Sequence, residues 1–214
     1  DLAARARATI DEAERVRRAA LAARPDDLFL RAGLAMLLRE RGALAEAVAQ
    51  WEELLRRVPG VAEWRAQLAF ALADAGAAAE PDDETRLARA EAIARELLAE
   101  QPQLPAVHVN LGTVLERRGR RGEAEQAYRR ALELNPGYEL ARLNLAAILA
   151  DRGALDEAIA LLEGALAIDP QSVEVLARLG GLHERRGRLD EAAAAYRRAL
   201  AIDPDVARVR NALG

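Results

Sequence analysis

The spacing of the prolines limits what this chain can fold into more than any other feature. Pro25, Pro59, Pro102, Pro136, Pro170 and Pro204 lie 34, 43, 34, 34 and 34 residues apart. Between them one pattern keeps returning, most plainly in Pro105–Tyr138, PAVHVNLGTVLERRGRRGEAEQAYRRALELNPGY. It reads as two short amphipathic helices joined at Gly119 and closed by Asn135-Pro136. Glu139–Ser172 and Val173–Val206 repeat it without a gap, and Leu28–Val61 repeats it upstream. A fixed period of roughly 20–50 residues means stacked supersecondary units, none of which buries its apolar face alone. The 214 residues therefore read as one array of helix pairs, not as one or two globular domains.

Counting each unit from its first residue, position eight (Ala35, Ala69, Gly112, Ala146, Gly180) and position twenty (Ala47, Ala90, Ala124, Ala158, Ala192) are always Ala or Gly. Small residues there let the two helices of a pair approach closely, with Leu, Trp and Tyr filling beside them. The glycine between the helices (Gly42, Gly76, Gly119, Gly153, Gly187) suits a left-handed helix end. The closing proline cannot continue a helix. Ala62–Leu104 is nine residues longer than the others, and the excess falls in Ala77–Arg86, AAAEPDDETR. Pro81 with Asp82, Asp83 and Glu84 reads there as a loop followed by a fresh helix start. Asp1–Asp27 is an incomplete unit, readable either as one helix over about residues 2–23 or as a short piece followed by a second helix, Thr9–Arg24. Ala207–Gly214 begins a further unit, so the two ends are complementary parts of one repeat.

Leu-Gly early in the unit, Ala opening the second helix, an aromatic four residues on and Pro near the end resemble the tetratricopeptide repeat, TPR. In Pro105–Tyr138 those residues are Leu111-Gly112, Ala124, Tyr128, Ala131 and Pro136. The next unit has Leu145-Ala146, Ala158, Leu162, Ala165 and Pro170; the last has Leu179-Gly180, Ala192, Tyr196, Ala199 and Pro204. The resemblance implies an all-α fold, a right-handed superhelical solenoid of antiparallel helix pairs. It also implies that the first helices line a concave groove reached from positions two, five, six, nine and thirteen. Position six then reads Gly33, Gln67, Asn110, Asn144 and Arg178. A row of amides there resembles the asparagine ladder with which some TPR proteins hold an extended peptide, since an amide both donates to and accepts from backbone. Phe29, Met36 and Phe70 fall on groove positions too, as an apolar anchor for a partner. A clamp for a terminal carboxylate, as in other TPR domains, matches only at Asn144 and Arg178. Val109, Thr113 and Glu174 stand where Lys, Asn and Lys would be wanted, and Glu174 would repel the ligand.

Other function classes are excluded residue by residue. Net charge is −4 with both signs interspersed, which makes no bulk electrostatic case for nucleic acid. Arg117-Arg118, Arg120-Arg121 and Arg185-Arg186 with Arg188 cluster about the turns that follow first helices, whose C-terminal dipole favours cations. Arg at position fourteen (Arg41, Arg118, Arg152, Arg186) is matched by Glu at position nineteen (Glu46, Glu123, Glu157, Glu191), at second-helix N-termini. With no Cys and only His108 and His183, in different units, no metal-ligand spacing exists. His183 takes a position that is Leu elsewhere and reads as a packed, hydrogen-bonded side chain; Trp51 and Trp64 read as core. No apolar run reaches the roughly 18–20 residues of a membrane span. No phosphate loop and no nucleophile with a base is present, so neither enzyme activity nor a cofactor is expected. All 31 basic residues are Arg, which reads as the codon bias of a GC-rich, bacterial genome. The expected function is a protein-interaction scaffold that grips a protein or peptide in its groove. The alternatives are head-to-tail self-assembly through the complementary ends, or an arm of a longer protein with a separate catalytic domain.

Overall fold

The computed structural model describes residues 2–78 and 83–204, with side chains from Thr9 onward. Within these residues the secondary structure is helical: α1 Leu2–Ala23, α2 Leu28–Glu40, α3 Leu44–Arg57, α4 Ala62–Ala77, α5 Glu84–Glu100, α6 Pro105–Arg117, α7 Arg121–Leu134, α8 Glu139–Asp151, α9 Leu155–Leu166, α10 Val173–Arg186 and α11 Leu189–Ile202. Of the two readings of the first residues, the structure adopts the continuous helix, as Ala and Arg favour. Pro81, Asp82 and the proposed extra unit at Ala207–Gly214 lie outside the described residues. The chain divides into two compact units, Asp1–Pro102 with Thr113–Arg120, and Gln103–Gly112 with Arg121–Gly214.

Within both units the packing follows from the small residues. Ala47, Ala90, Ala124 and Ala158 are sealed in the seam between the helices of their pairs. Inside a unit, a second helix then lies against the first helix of the next pair, as α3 does on α4 and α9 on α10. Where position eight is glycine, an aromatic ring fills the missing side chain. A Cβ on Gly112 would stand 2.5 Å from Tyr128 Cε1, and one on Gly180 would stand 2.4 Å from Tyr196 Cε1. Tyr196 is further held by its hydroxyl, which donates to Glu184 at 2.7 Å. Ala146 needs no such space, because Leu162 takes the place of the ring.

Four of the five turn glycines adopt the expected left-handed conformation, Gly42, Gly119, Gly153 and Gly187, with φ of 85°, 71°, 84° and 78°. Gly76 does not. The longer connection removes the need for a tight turn, so α4 runs on to Ala77 and Gly76 becomes a packing residue. A Cβ there would lie 2.8 Å from Leu87 Cγ. The carbonyl of Gly76 accepts the Asp83 N–H at 3.0 Å, and the Asp83 side chain caps α5 by accepting from Arg86 N–H. Trp51 is core as read, whereas Trp64 is only half-buried, at the solvent edge of α4.

The arginines do more than answer helix dipoles. Glu14 takes charge-assisted hydrogen bonds from Arg18 at 2.8 Å and from Arg41, 27 residues on. Glu91 repeats this with Arg95 and Arg118, again 27 residues on, and adds Arg120. Glu125 repeats it with Arg129 and Arg152. In each case a glutamate of a second helix ties down the arginine at the end of the next first helix. Arg18 and Arg129 then reach Glu46 and Glu157 on the following second helix, at 2.6 and 2.7 Å. Arg186 bonds Asp156 because Ile159 stands where the glutamate would be. Arg117 bonds Asp74, and Arg121 lies 3.5 Å from Asp151. These guanidiniums are engaged within the fold, not displayed as a basic surface.

Such pairing sets an acid limit. The guanidiniums of Arg56 and Arg57 hold Glu53 down at about 2, well under the usual 4.5. Arg41 and Arg18 lower Glu14, Arg129 lowers Glu157, and Arg186 lowers Asp156. Carboxylates depressed in the fold stabilise it fully above their unfolded values, and that contribution fades as pH falls toward the folded ones. The midpoint of thermal unfolding should therefore drop between about pH 4.5 and pH 2, where Glu53 accepts its proton. Circular dichroism melts across that range check it; a midpoint that holds to about pH 2.5 contradicts it.

Candidate functional site

The groove positions are distributed over first helices, and each is described within its own unit. In the first unit Phe29 stands 88% exposed and Met36 50% exposed, two helical turns apart on α2. Between them the Arg17 side chain crosses Gly33, with Nε 3.2 Å from where a Cβ would sit. Phe70 is not an open anchor of the same kind. It is half-buried under the Arg39 guanidinium, 5.5 Å from its ring centroid, and Asp74 fixes that arginine at 3.0 Å. The Gln67 amide is turned along its own helix and donates to Glu63 at 3.1 Å.

In the second unit Asn110, Asn144 and Arg178 are all half-buried. Neither asparagine side chain has a hydrogen-bond partner among the described residues. Arg178 donates to Glu174 at 2.8 Å, one turn before it on α10. Arg178 also stands at the rim of a cavity of about 290 Å³ between α8 and α10. Much of its lining is small or apolar, with Ala147, Gly181, Leu162 and Leu182. Asp151 and Arg185 line the same cavity. Arg185 is oriented by the Ala150 carbonyl, to which it donates at 2.6 Å, and has no carboxylate partner among the described residues. Small residues in the lining leave the cavity open, and its polar side chains provide both donors and acceptors. Of the residues named from the sequence, Arg178 lines this cavity and Asn144 does not; Asp151 and Arg185, both at position thirteen of their units, were not named as site residues although that position had been counted as a groove position.

Val109 and His108 are buried, so the carboxylate-clamp position at Val109 lies in the core. His183 is buried as expected, but its Nδ1 has no hydrogen-bond partner. Among the described residues no group of three His, Cys, Asp or Glu is placed to hold a metal ion, and no helix is long and apolar enough to cross a membrane.

Residues 149–214 match the tetratricopeptide repeat family model, and residues 75–177 match that of the cilia and flagella-associated protein 70 middle TPR-like domain. TTC0263, a thermophilic TPR protein of Thermus thermophilus, is 25% identical and superposes with a TM-score of 0.69 over 86% of this chain and 96% of its own. The chain is a tetratricopeptide-repeat protein. YrrB, described as a TPR protein with an unusual peptide-binding site, shares the TPR fold at 21% identity, with a TM-score of 0.55 over 92% of this chain and 97% of its own. MamA is similar at 21% identity and a TM-score of 0.58, covering 82% of this TPR chain and 97% of its own. No curated protein matches the TPR chain.

Proposed function

We propose that this TPR protein is a protein-interaction scaffold that holds an extended peptide or partner segment along the face of its first helices. The observation that carries the reading is the pair of half-buried asparagines, Asn110 and Asn144, whose amides have no partner within the described residues. An amide left free at the same position of successive first helices is suited to the backbone of a ligand, whatever its side chains. The cavity beside Arg178 and the likeness to a protein described as having a peptide-binding site support the same reading. In the first unit Phe29 and Met36 offer an apolar contact for the same class of ligand, with Met36 adaptable in shape. Gln67 and Arg178 would exchange Glu63 and Glu174 for ligand groups.

The combined variant Asn110→Ala, Asn144→Ala, Arg178→Ala tests this. Its unfolding midpoint should stay within a few degrees of the parent, because neither asparagine has a side-chain partner to lose among the described residues and the Arg178–Glu174 contact is a solvent-exposed i,i+4 pair worth about 0.3–0.5 kcal/mol. Affinity capture with the parent as bait should lose its specific partners in the variant. Retention of every partner would overturn the reading.

A further inference from the structure

A second groove, on the opposite helices of the pairs, breaks the charge pattern of the array. Position twenty-five of one second helix and position nineteen of the next bridge with opposite charges in three places. The pairs are Arg18 with Glu46, Glu52 with Arg89, and Arg129 with Glu157, at 2.6, 2.5 and 2.7 Å. In α9 and α11 the same two positions carry Glu163 and Glu191, 28 residues apart like Arg129 and Glu157. Two like charges cannot bridge, and neither carboxylate has an ion-pair partner among the described residues.

The floor departs from the pattern at the same place. His183 stands where Leu38, Leu72, Leu115 and Leu149 stand in the other units. It is buried, at 6% exposure, and its Nδ1 is without a partner. Glu163, Glu191 and His183 line one cavity of about 450 Å³, with Leu166 and Leu179 as apolar walls. Arg198 also lines it, but its guanidinium is tethered to the Pro170 carbonyl at 3.3 Å and bridges neither glutamate. An unpaired buried imidazole nitrogen is costly unless something completes it.

We propose that this groove binds an arginine side chain supplied by a partner polypeptide. The guanidinium takes the place between Glu163 and Glu191 that Arg18, Arg89 and Arg129 fill from within the chain elsewhere. Its planar fork spans two carboxylates, and its stem lies along Leu166 and Leu179. Two carboxylates against one tethered arginine leave the cavity with excess negative charge. The site is separate from the first-helix face, so it stands or falls independently of the function proposed above.

The probe is a blocked Gly-Arg-Gly tripeptide, titrated into the whole protein and followed through the imidazole resonances. Only two histidines are present, and His183→Leu identifies the relevant signals by their disappearance. The expected result is a saturable shift of the His183 signals, half-complete at roughly millimolar peptide as befits one side chain. Glu163→Arg sets a guanidinium of the chain itself opposite Glu191 and should weaken the response at least tenfold with His183 retained. Glu191→Gln gives a second, milder arm, and circular dichroism checks that each variant is folded. No shift at tens of millimolar, or undiminished binding in both variants, overturns the proposal. An equal response to the lysine tripeptide or to calcium chloride overturns arginine as the occupant.

Discussion

Gly112→Ala should destabilise the protein by about 1–3 kcal/mol, a large effect for one methyl group. The added Cβ would stand 2.5 Å from Cε1 and 2.8 Å from Cδ1 of Tyr128, which is fully buried. Either the ring leaves its well or α6 and α7 move apart, and both lose close packing along the pair. Tyr128→Leu alone should also destabilise, because it leaves a void over Gly112. The two together should cost markedly less than their sum, since alanine opposite leucine is the arrangement the protein already uses at Ala146 and Leu162. Chemical denaturation of the four proteins measures this coupling. Strictly additive losses would mean that the glycine is not there to admit the ring.

Glu91→Ala should cost more, about 2–4 kcal/mol, and lower the unfolding midpoint by roughly 5–10 °C. Glu91 is nearly buried and accepts from Arg95, Arg118 and Arg120, and of these Arg118 is the most enclosed. Removing the carboxylate leaves that guanidinium with only Glu84, on the exposed side. A buried charge without its partner is the costly state, more than the absence of the pair. Val48 and Ala75 occupy the matching positions elsewhere in the chain, so an apolar pair is compatible with the fold. The combination Glu91→Val with Arg118→Ala should therefore recover a large part of the loss. Thermal and urea unfolding of both variants check it. A double variant less stable than Glu91→Ala alone would show that the charges, not their pairing, are needed.

The 34-residue spacing, the small residues at positions eight and twenty and the turn glycines were enough to read helix pairs and their order, because each is a local requirement of a helix or a tight connection. Gly42, Gly119, Gly153 and Gly187 kept to that local logic; Gly76 did not, once nine more residues made the tight turn unnecessary. The candidate groove was legible in part. Asn144 and Arg178 were named from the resemblance, and of the two only Arg178 lines the cavity between α8 and α10, where Asp151 and Arg185 join it. Phe70 read as an open anchor until Arg39, 31 residues earlier, was seen to cover its ring.

What the sequence by itself determined was everything set within a few residues: where helices begin and end, which face of each is small or apolar, and how often the unit returns. The tertiary structure alone decided which charges meet, that Glu14, Glu91 and Glu125 each reach an arginine 27 residues away, and that Glu163, Glu191 and His183 line one cavity. The reason is physical. A helix dipole or a glycine turn acts over one helical turn, whereas an ion pair or a filled cavity needs two elements brought together by packing, and the same arginine satisfies both accounts until its neighbour is known.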